Sequence, residues 1–261
     1  MMERMDSSAT RTALQRAADL LRRAGHAVAL TGAGSSTPSG IPDFRSPGSG
    51  LWEQADPMEV ASIQALRRDP QAFYRWLQPL VERMTNARPN AAHYALARLE
   101  AAGRLQAVIT QNIDGLHQRA GSQNVLEVHG HVRTVTCLNC FRQAPVEEAT
   151  ATVARGEVPR CRVCGGVVKP DVILFGEQLP AQTLIAAMEH ARRADLMLVV
   201  GSSLLVLPIA QLPALTHAHG GQVVVINKQP TYADGFAAAV FHDDLAEVLP
   251  GLVDLCLEDQ V

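Results

Sequence analysis

Three short apolar runs constrain the fold more than anything else: "AVALT" at 27–31, "LMLVV" at 196–200 and "QVVVI" at 222–226. None alternates with polar residues, so a strand built from any of them must be covered on both faces. Helical spacing fills the stretches between. Residues 10–24 place Leu14, Ala17, Ala18 and Leu21 on one face, and Gly25 follows as a terminal cap. Residues 90–103, 181–194, 210–218 and 243–258 also read as helices, while "QAVITQ", "VLEVHG" and "DVILF" read as further strands. This repeated alternation predicts an α/β fold around a parallel sheet.

Two segments interrupt the rhythm. Residues 46–90 contain the helical, aromatic-rich "DPQAFYRWLQPLVERM", and residues 131–168 hold four of the five cysteines with little apolar periodicity. Both read as inserts, and 261 residues suit one large domain carrying them. Cys137 and Cys140 form one C-x-x-C, and Cys161 and Cys164 form a second after twenty residues. That spacing predicts a closed, four-thiolate zinc site, the alternative being two unrelated pairs. Cys256 lies on the apolar face of "LAEVLPGLVDLCL" and reads as core.

The net charge of −3 gives no electrostatic argument for nucleic acid or membrane binding. The opening "MMERMDSSATRT" lacks a signal-type apolar stretch, and the apolar runs are too short to span a bilayer. A soluble, cytoplasmic protein is expected.

The chemistry-bearing residues fall at strand ends. After "AVALT" comes "GAGSSTPSGIPDFRSP", 32–47, whose density of Gly and Pro excludes an α-helix interior. Gly32 and Gly34 suit a backbone that approaches a pyrophosphate through its N–H groups, although a lone G-x-G is more often just a tight turn. "VVGSS" ends in a second small-residue turn at Gly201, Ser202 and Ser203, and "VVVIN" ends at Asn227, where a ribose-binding carboxylate is more usual. "TQNIDGLHQRAG" places Gln111, Asn112 and Asp114 after another strand. "EVHG" puts His129, one of nine histidines, at the end of the next, and an imidazole there suits a general base.

Taken in order, "GAGSSTPSGIPDFRSP", "TQNIDGLHQRAG", "EVHG", the paired C-x-x-C, "KPDVILFGE", "GSSLLVLP" and "VVVIN" resemble the sirtuin family of NAD-dependent protein lysine deacylases over roughly residues 25–245. The resemblance implies a Rossmann-type domain (1–45, 91–130 and 169–261). It also implies a small domain made of a helical module, 46–90, and a zinc ribbon, 131–168. It makes 32–47 the cofactor loop, folded over NAD and not helical. Gly32, Ala33, Gly34 and Thr37 would lie along the dinucleotide, with Phe44 and Arg45 near the nicotinamide ribose and phosphates. Asn112, Ile113 and Asp114 would hold the carboxamide, and Gln111 the adjacent ribose. Gly201, Ser202, Ser203, Asn227, Lys228 and His242 would serve the phosphates and adenosine. Ile173, Phe175 and Gly176 would line the acyl-lysine tunnel and offer a strand edge to the peptide.

The implied reaction joins the acyl oxygen to the ribose carbon that loses nicotinamide. His129 then acts as general base, and Asn112 is the second catalytic residue; the products are lysine, nicotinamide and O-acyl-ADP-ribose. Relatives that prefer succinyl- or malonyl-lysine carry an Arg three residues after a Tyr in the helical module. Here Tyr74 is followed at that spacing by Leu77. The competing expectations are an NAD-dependent ADP-ribosyltransferase, a hydride-transferring dehydrogenase and a zinc-ribbon module for nucleic acid.

Overall fold

The computed structural model describes residues 8–46, 48, 50–53 and 55–258. Residues 1–7 and Pro47, the last residue of the expected cofactor loop, lie outside the described residues.

The chain opens with α1 (Ser8–Arg23) and β1 (Ala27–Thr31). Then come α2 (Pro57–Val60), α3 (Ile63–Arg68), α4 (Pro70–Asn86) and α5 (Ala91–Ala101). Next are β2 (Ala107–Thr110), α6 (Leu116–Ala120), β3 (Val125–Glu127), β4 (Gly130–Cys137), β5 (Gln143–Pro145), α7 (Glu147–Ala154) and β6 (Val168–Val172). The last third holds α8 (Ala181–Arg193), β7 (Leu196–Val200), α9 (Leu212–Ala218), β8 (Gln222–Ile226), β9 (Ala239–Phe241) and α10 (Leu245–Leu257).

Six strands form one parallel sheet in the order β3-β2-β1-β7-β8-β9. Counted by appearance in that sheet, the order is 3-2-1-4-5-6, the doubly wound Rossmann arrangement. Alternate residues bury to opposite sides, as continuous apolar strands require. Ala27, Ala29, Leu196 and Leu198 meet α1, α5 and α10, while Val28, Leu30, Met197 and Val199 meet α8 and α9. Cys256 is buried in the first of these cores, as expected.

β5, β4 and β6 form a second, antiparallel sheet. Its strand β6 begins at Val168, so the expected boundary at 168/169 cuts through it, and "DVILF" contributes only its first two residues to a strand. The "VLEVHG" strand also ends earlier than expected, at Glu127, and His129 occupies the turn that leads into β4. Beside this sheet, α3 and α4 bury Ile63, Leu66, Phe73, Tyr74 and Leu77 in a cluster that includes Val153, Val172 and Leu174.

Candidate active site

In a doubly wound sheet the binding crevice opens where strand order reverses, outside the strands' C-terminal ends. Here that point lies between β1 and β7. The turns that leave these two strands pack backbone against backbone. The N–H of Gly32 donates to the Val200 carbonyl at 3.1 Å, and that of Gly34 to the Gly201 carbonyl at 2.9 Å. A Cβ on either glycine would lie 2.8 Å from the Gly201 oxygen, and Gly201 itself sits at φ +61. The glycines therefore serve turn-to-turn contact. Their two N–H groups are spent inside the protein, contrary to the expectation that they face a pyrophosphate.

The loop after β1 also corrects an expectation. Residues Ala33–Ser39 form 3-10 turns with Pro38 inside them. Pro38 has no N–H to give the Ser35 carbonyl three residues back. Asn90, the cap of α5, replaces it: its Nδ2 donates to that carbonyl at 2.9 Å and to Ser39 Oγ at 2.9 Å. Asn112 clamps the same turns from the other side, its Nδ2 lying 3.1 Å from the Gly32 carbonyl and from the hydroxyls of Ser35 and Ser36. Ser36 donates to Asp114 at 2.7 Å. Burial raises the Asp114 pKa, an effect opposed by the Leu116 N–H and the Ser36 hydroxyl. Thr37 is exposed and donates to the Gly34 carbonyl; Phe44 is half-buried and Arg45 exposed, in a turn that Asp43 holds through the backbone of Arg45 and Ser46.

Gln111 joins three parts of the crevice. Its side chain donates to Ser202 Oγ at 2.9 Å, and its carbonyl lies 3.1 Å from His129 Nδ1. A carbonyl only accepts, so Nδ1 carries the proton and Nε2 keeps a free lone pair. Burial lowers the His129 pKa, an effect opposed by the Gln111 carbonyl.

The sequence reading missed the layer beneath. Thr31 donates to Thr110 at 2.8 Å, so its oxygen accepts from His117 Nε2 at 2.9 Å. Thr110 Oγ1 in turn accepts the Asn112 N–H at 3.1 Å. His93 Nδ1 accepts the Asn90 N–H at 3.3 Å, and the two imidazoles lie 4.8 Å apart between centroids. The His93 ring, which accepts at Nδ1, is therefore neutral, and burial pushes both pKa values down, to about 4 for His93 and about 3 for His117. The only sequence hint was His93 three residues after the cap Asn90. Unfolding releases both histidines to an ordinary 6.5, so the unfolded chain binds more protons below that pH. Their stabilisation is complete above 6.5 and is lost as pH falls. By pH 5 the loss should reach roughly 2 kcal/mol per histidine. Urea denaturation between pH 7 and 5 checks this: a His93→Gln His117→Gln double variant should lose much of the wild type's acid dependence.

At the far edge, Asn227 Nδ2 donates one hydrogen to the Gln229 carbonyl at 2.7 Å, leaving its second N–H and Oδ1. His242 Nδ1 lies 2.7 Å from the Asn227 carbonyl, and exposed Lys228 lies 3.7 Å from Asp244. The segment after β6 is already paired within the protein. Ile173 N–H donates to the His129 carbonyl at 2.8 Å, Leu174 N–H to Glu177 at 2.9 Å and Phe175 N–H to the Ala61 carbonyl at 3.0 Å. Three consecutive N–H groups are thus spent inside the protein. Gly176, at φ +85, packs close to Gln64.

Sγ atoms of Cys137, Cys140, Cys161 and Cys164 all lie within 4.8 Å of one another, with Cys137–Cys164 at 3.5 Å and Cys140–Cys161 at 3.7 Å. A tetrahedron with ~2.3 Å metal–sulfur bonds has edges of about 3.8 Å, so the four thiols fit zinc and leave no open position.

A Rossmann sheet, a crevice at its switch point and a four-cysteine ribbon beside it define a dinucleotide-binding enzyme of the sirtuin type. The sequence model of the Sir2 family matches residues 32–208, and the chain belongs to that family. It is 46% identical to NAD-dependent protein deacylase 2 of Archaeoglobus fulgidus over 242 residues, 92% of this chain and 95% of that protein. A solved Sir2 enzyme superposes with a TM-score of 0.90 at 45% identity, covering 95% of this chain and 99% of the other. Another holds a deacetylated p53 peptide and 3′-O-acetyl-ADP-ribose; it superposes at 0.86 with 40% identity, covering 93% and 96%.

Proposed function

We propose that this chain is an NAD-dependent protein lysine deacylase. It would transfer the acyl group of an acyl-lysine peptide to ADP-ribose and release nicotinamide. The observation that carries the reading is His129: a neutral imidazole with its Nδ1 proton given to the Gln111 carbonyl and its Nε2 free, beside the Asn112–Asp114 turn at the switch-point crevice. On this reading Nε2 takes the proton of a ribose hydroxyl. Asn112 and Asp114 fix the nicotinamide end and hold the 3-10 turns in place. Ala33, Phe44 and Arg45 cover the dinucleotide, while Ser202, Ser203, Asn227, Lys228 and His242 serve its phosphates and adenosine. Support comes from the relatives, one named a deacylase and one holding a deacetylated peptide with an acetylated ADP-ribose. A reducing compartment such as the cytoplasm suits a thiolate zinc site, and no helix among the described residues is long and apolar enough to cross a membrane.

Mass spectrometry of an acetyl-lysine peptide incubated with NAD tests the proposal. Loss of the acetyl group together with O-acetyl-ADP-ribose is expected. A peptide that instead gains ADP-ribose would establish the transferase alternative.

The acyl preference follows from α4. Tyr74 is buried and its hydroxyl donates to the Val168 carbonyl at 2.6 Å, Leu77 is buried in the same apolar cluster, and Arg75 is exposed. A succinyl carboxylate would meet no cation there and would lose its water. We expect kcat/KM on succinyl-lysine to fall at least about tenfold below that on acetyl-lysine in the same peptide, roughly 1.4 kcal/mol. A succinyl preference would refute the argument.

A further inference from the structure

Lys169 is a buried cation, 8% exposed, at the start of the arc that leads from β6 toward α8. Its Nζ donates to the Val172 carbonyl at 2.7 Å and to Glu177 Oε2 at 3.0 Å. The same Oε2 accepts the Leu174 N–H at 2.9 Å, and the Glu177 N–H donates to the Leu174 carbonyl at 3.0 Å. One carboxylate oxygen thus closes residues 169–177 into a clasp. A charge-assisted bond at the base of a short loop confines the backbone strongly, because a buried ammonium has no cheap alternative partner.

The outer side of the clasped arc holds two other parts of the protein. Ile173 bonds to the His129 carbonyl, and Phe175 bonds in both directions with Ala61 and Ile63, just before and at the start of α3. The clasp therefore sets where Ile173 and Phe175 stand relative to His129. Neither charge is hydrogen-bonded to the turns after β1, β2 or β7.

Building on the deacylase reading, we infer that Lys169 and Glu177 are positioning residues for the acyl-lysine substrate, acting through Ile173 and Phe175 and not on NAD. Neither charge touches reacting atoms. Their effect is to hold the arc in the register that admits the acyl-lysine beside the general base.

Steady-state kinetics on Lys169→Met, which keeps length and apolar volume, test this directly. The KM for an acetyl-lysine peptide should rise about tenfold while that for NAD stays within about twofold, with Lys169→Arg restoring most of the loss. A general loss of structure would instead shift both constants together; melting falls in either case, because Glu177 loses its partner. Should Lys169→Met fail to fold, Glu177→Asp carries the test: it keeps the charge balance, withdraws the carboxylate by one methylene, and should also raise the peptide KM selectively. Active wild type with an unchanged peptide KM in the variant, or with NAD and peptide constants raised equally, overturns the clasp alone. Wild-type protein that releases no nicotinamide from NAD with any acyl-lysine peptide overturns the deacylase reading, and this role with it.

Discussion

His129→Ala is expected to slow deacylation by about 10²–10⁴-fold, the usual cost of removing a general base, while leaving the fold intact. The side chain is half-buried, and its one hydrogen bond among the described residues goes to the Gln111 carbonyl. The architecture lost with it is therefore small compared with the chemistry. The backbone carbonyl of His129, which receives the Ile173 N–H, survives the substitution. The pH profile supplies an independent signature. Burial holds the imidazole below the ordinary 6.5, so the acid limb of kcat/KM, set by protonation of Nε2, should fall below 6.5 as well. Near-normal turnover in a His129→Ala variant with wild-type melting would remove the residue from the mechanism.

Zinc removal should also lower activity, by a different route. β4 ends at Cys137 and begins beside His129, and Cys137 pairs in register with Val168, the first residue of β6. The far end of β6 leads into Ile173 and Phe175. The metal therefore anchors one end of two strands whose other ends bear on the proposed site. Structural zinc sites contribute on the order of 10 kcal/mol of binding energy, more than a small three-stranded sheet could replace. Metal analysis should give one zinc per chain, and Cys137→Ala should lower both melting temperature and activity, the latter by more than about tenfold. A zinc-free wild type, or a Cys137→Ala variant with full activity and unchanged melting, would contradict this.

The residues behind both predictions were visible in the sequence. The cysteine spacing and the position of His129 could be read from neighbours in sequence. The tie between them, through β4 and β6, could not, because it joins residues more than thirty positions apart. The same holds for Lys169. In "KPDVILFGE" it looks like an ordinary surface lysine, and only the return of the chain to Glu177 buries it. Likewise the Tyr74 hydroxyl is taken by the Val168 carbonyl, almost a hundred residues away.

What the sequence determined by itself was local and periodic. Continuous apolar runs required a sheet covered on both faces; the spacing of the C-x-x-C pairs favoured a closed metal site; polar clusters after apolar runs pointed to a crevice at the strand ends. Tertiary structure decided how groups with more than one possible use were used. Gly32 and Gly34 could have exposed their N–H groups to a phosphate, but the last residue of β7 and the first after it come close enough to accept them. Pro38 should have ended any helical turn, but Asn90 meets the carbonyl it leaves unpaired. The N–H groups of residues 173–175 could have bound a peptide, but His129, Glu177 and Ala61 reach them first. A hydrogen-bonding group is defined by its residue type, whereas its partner depends on which distant segment folding brings within about 3 Å, and no local pattern encodes that.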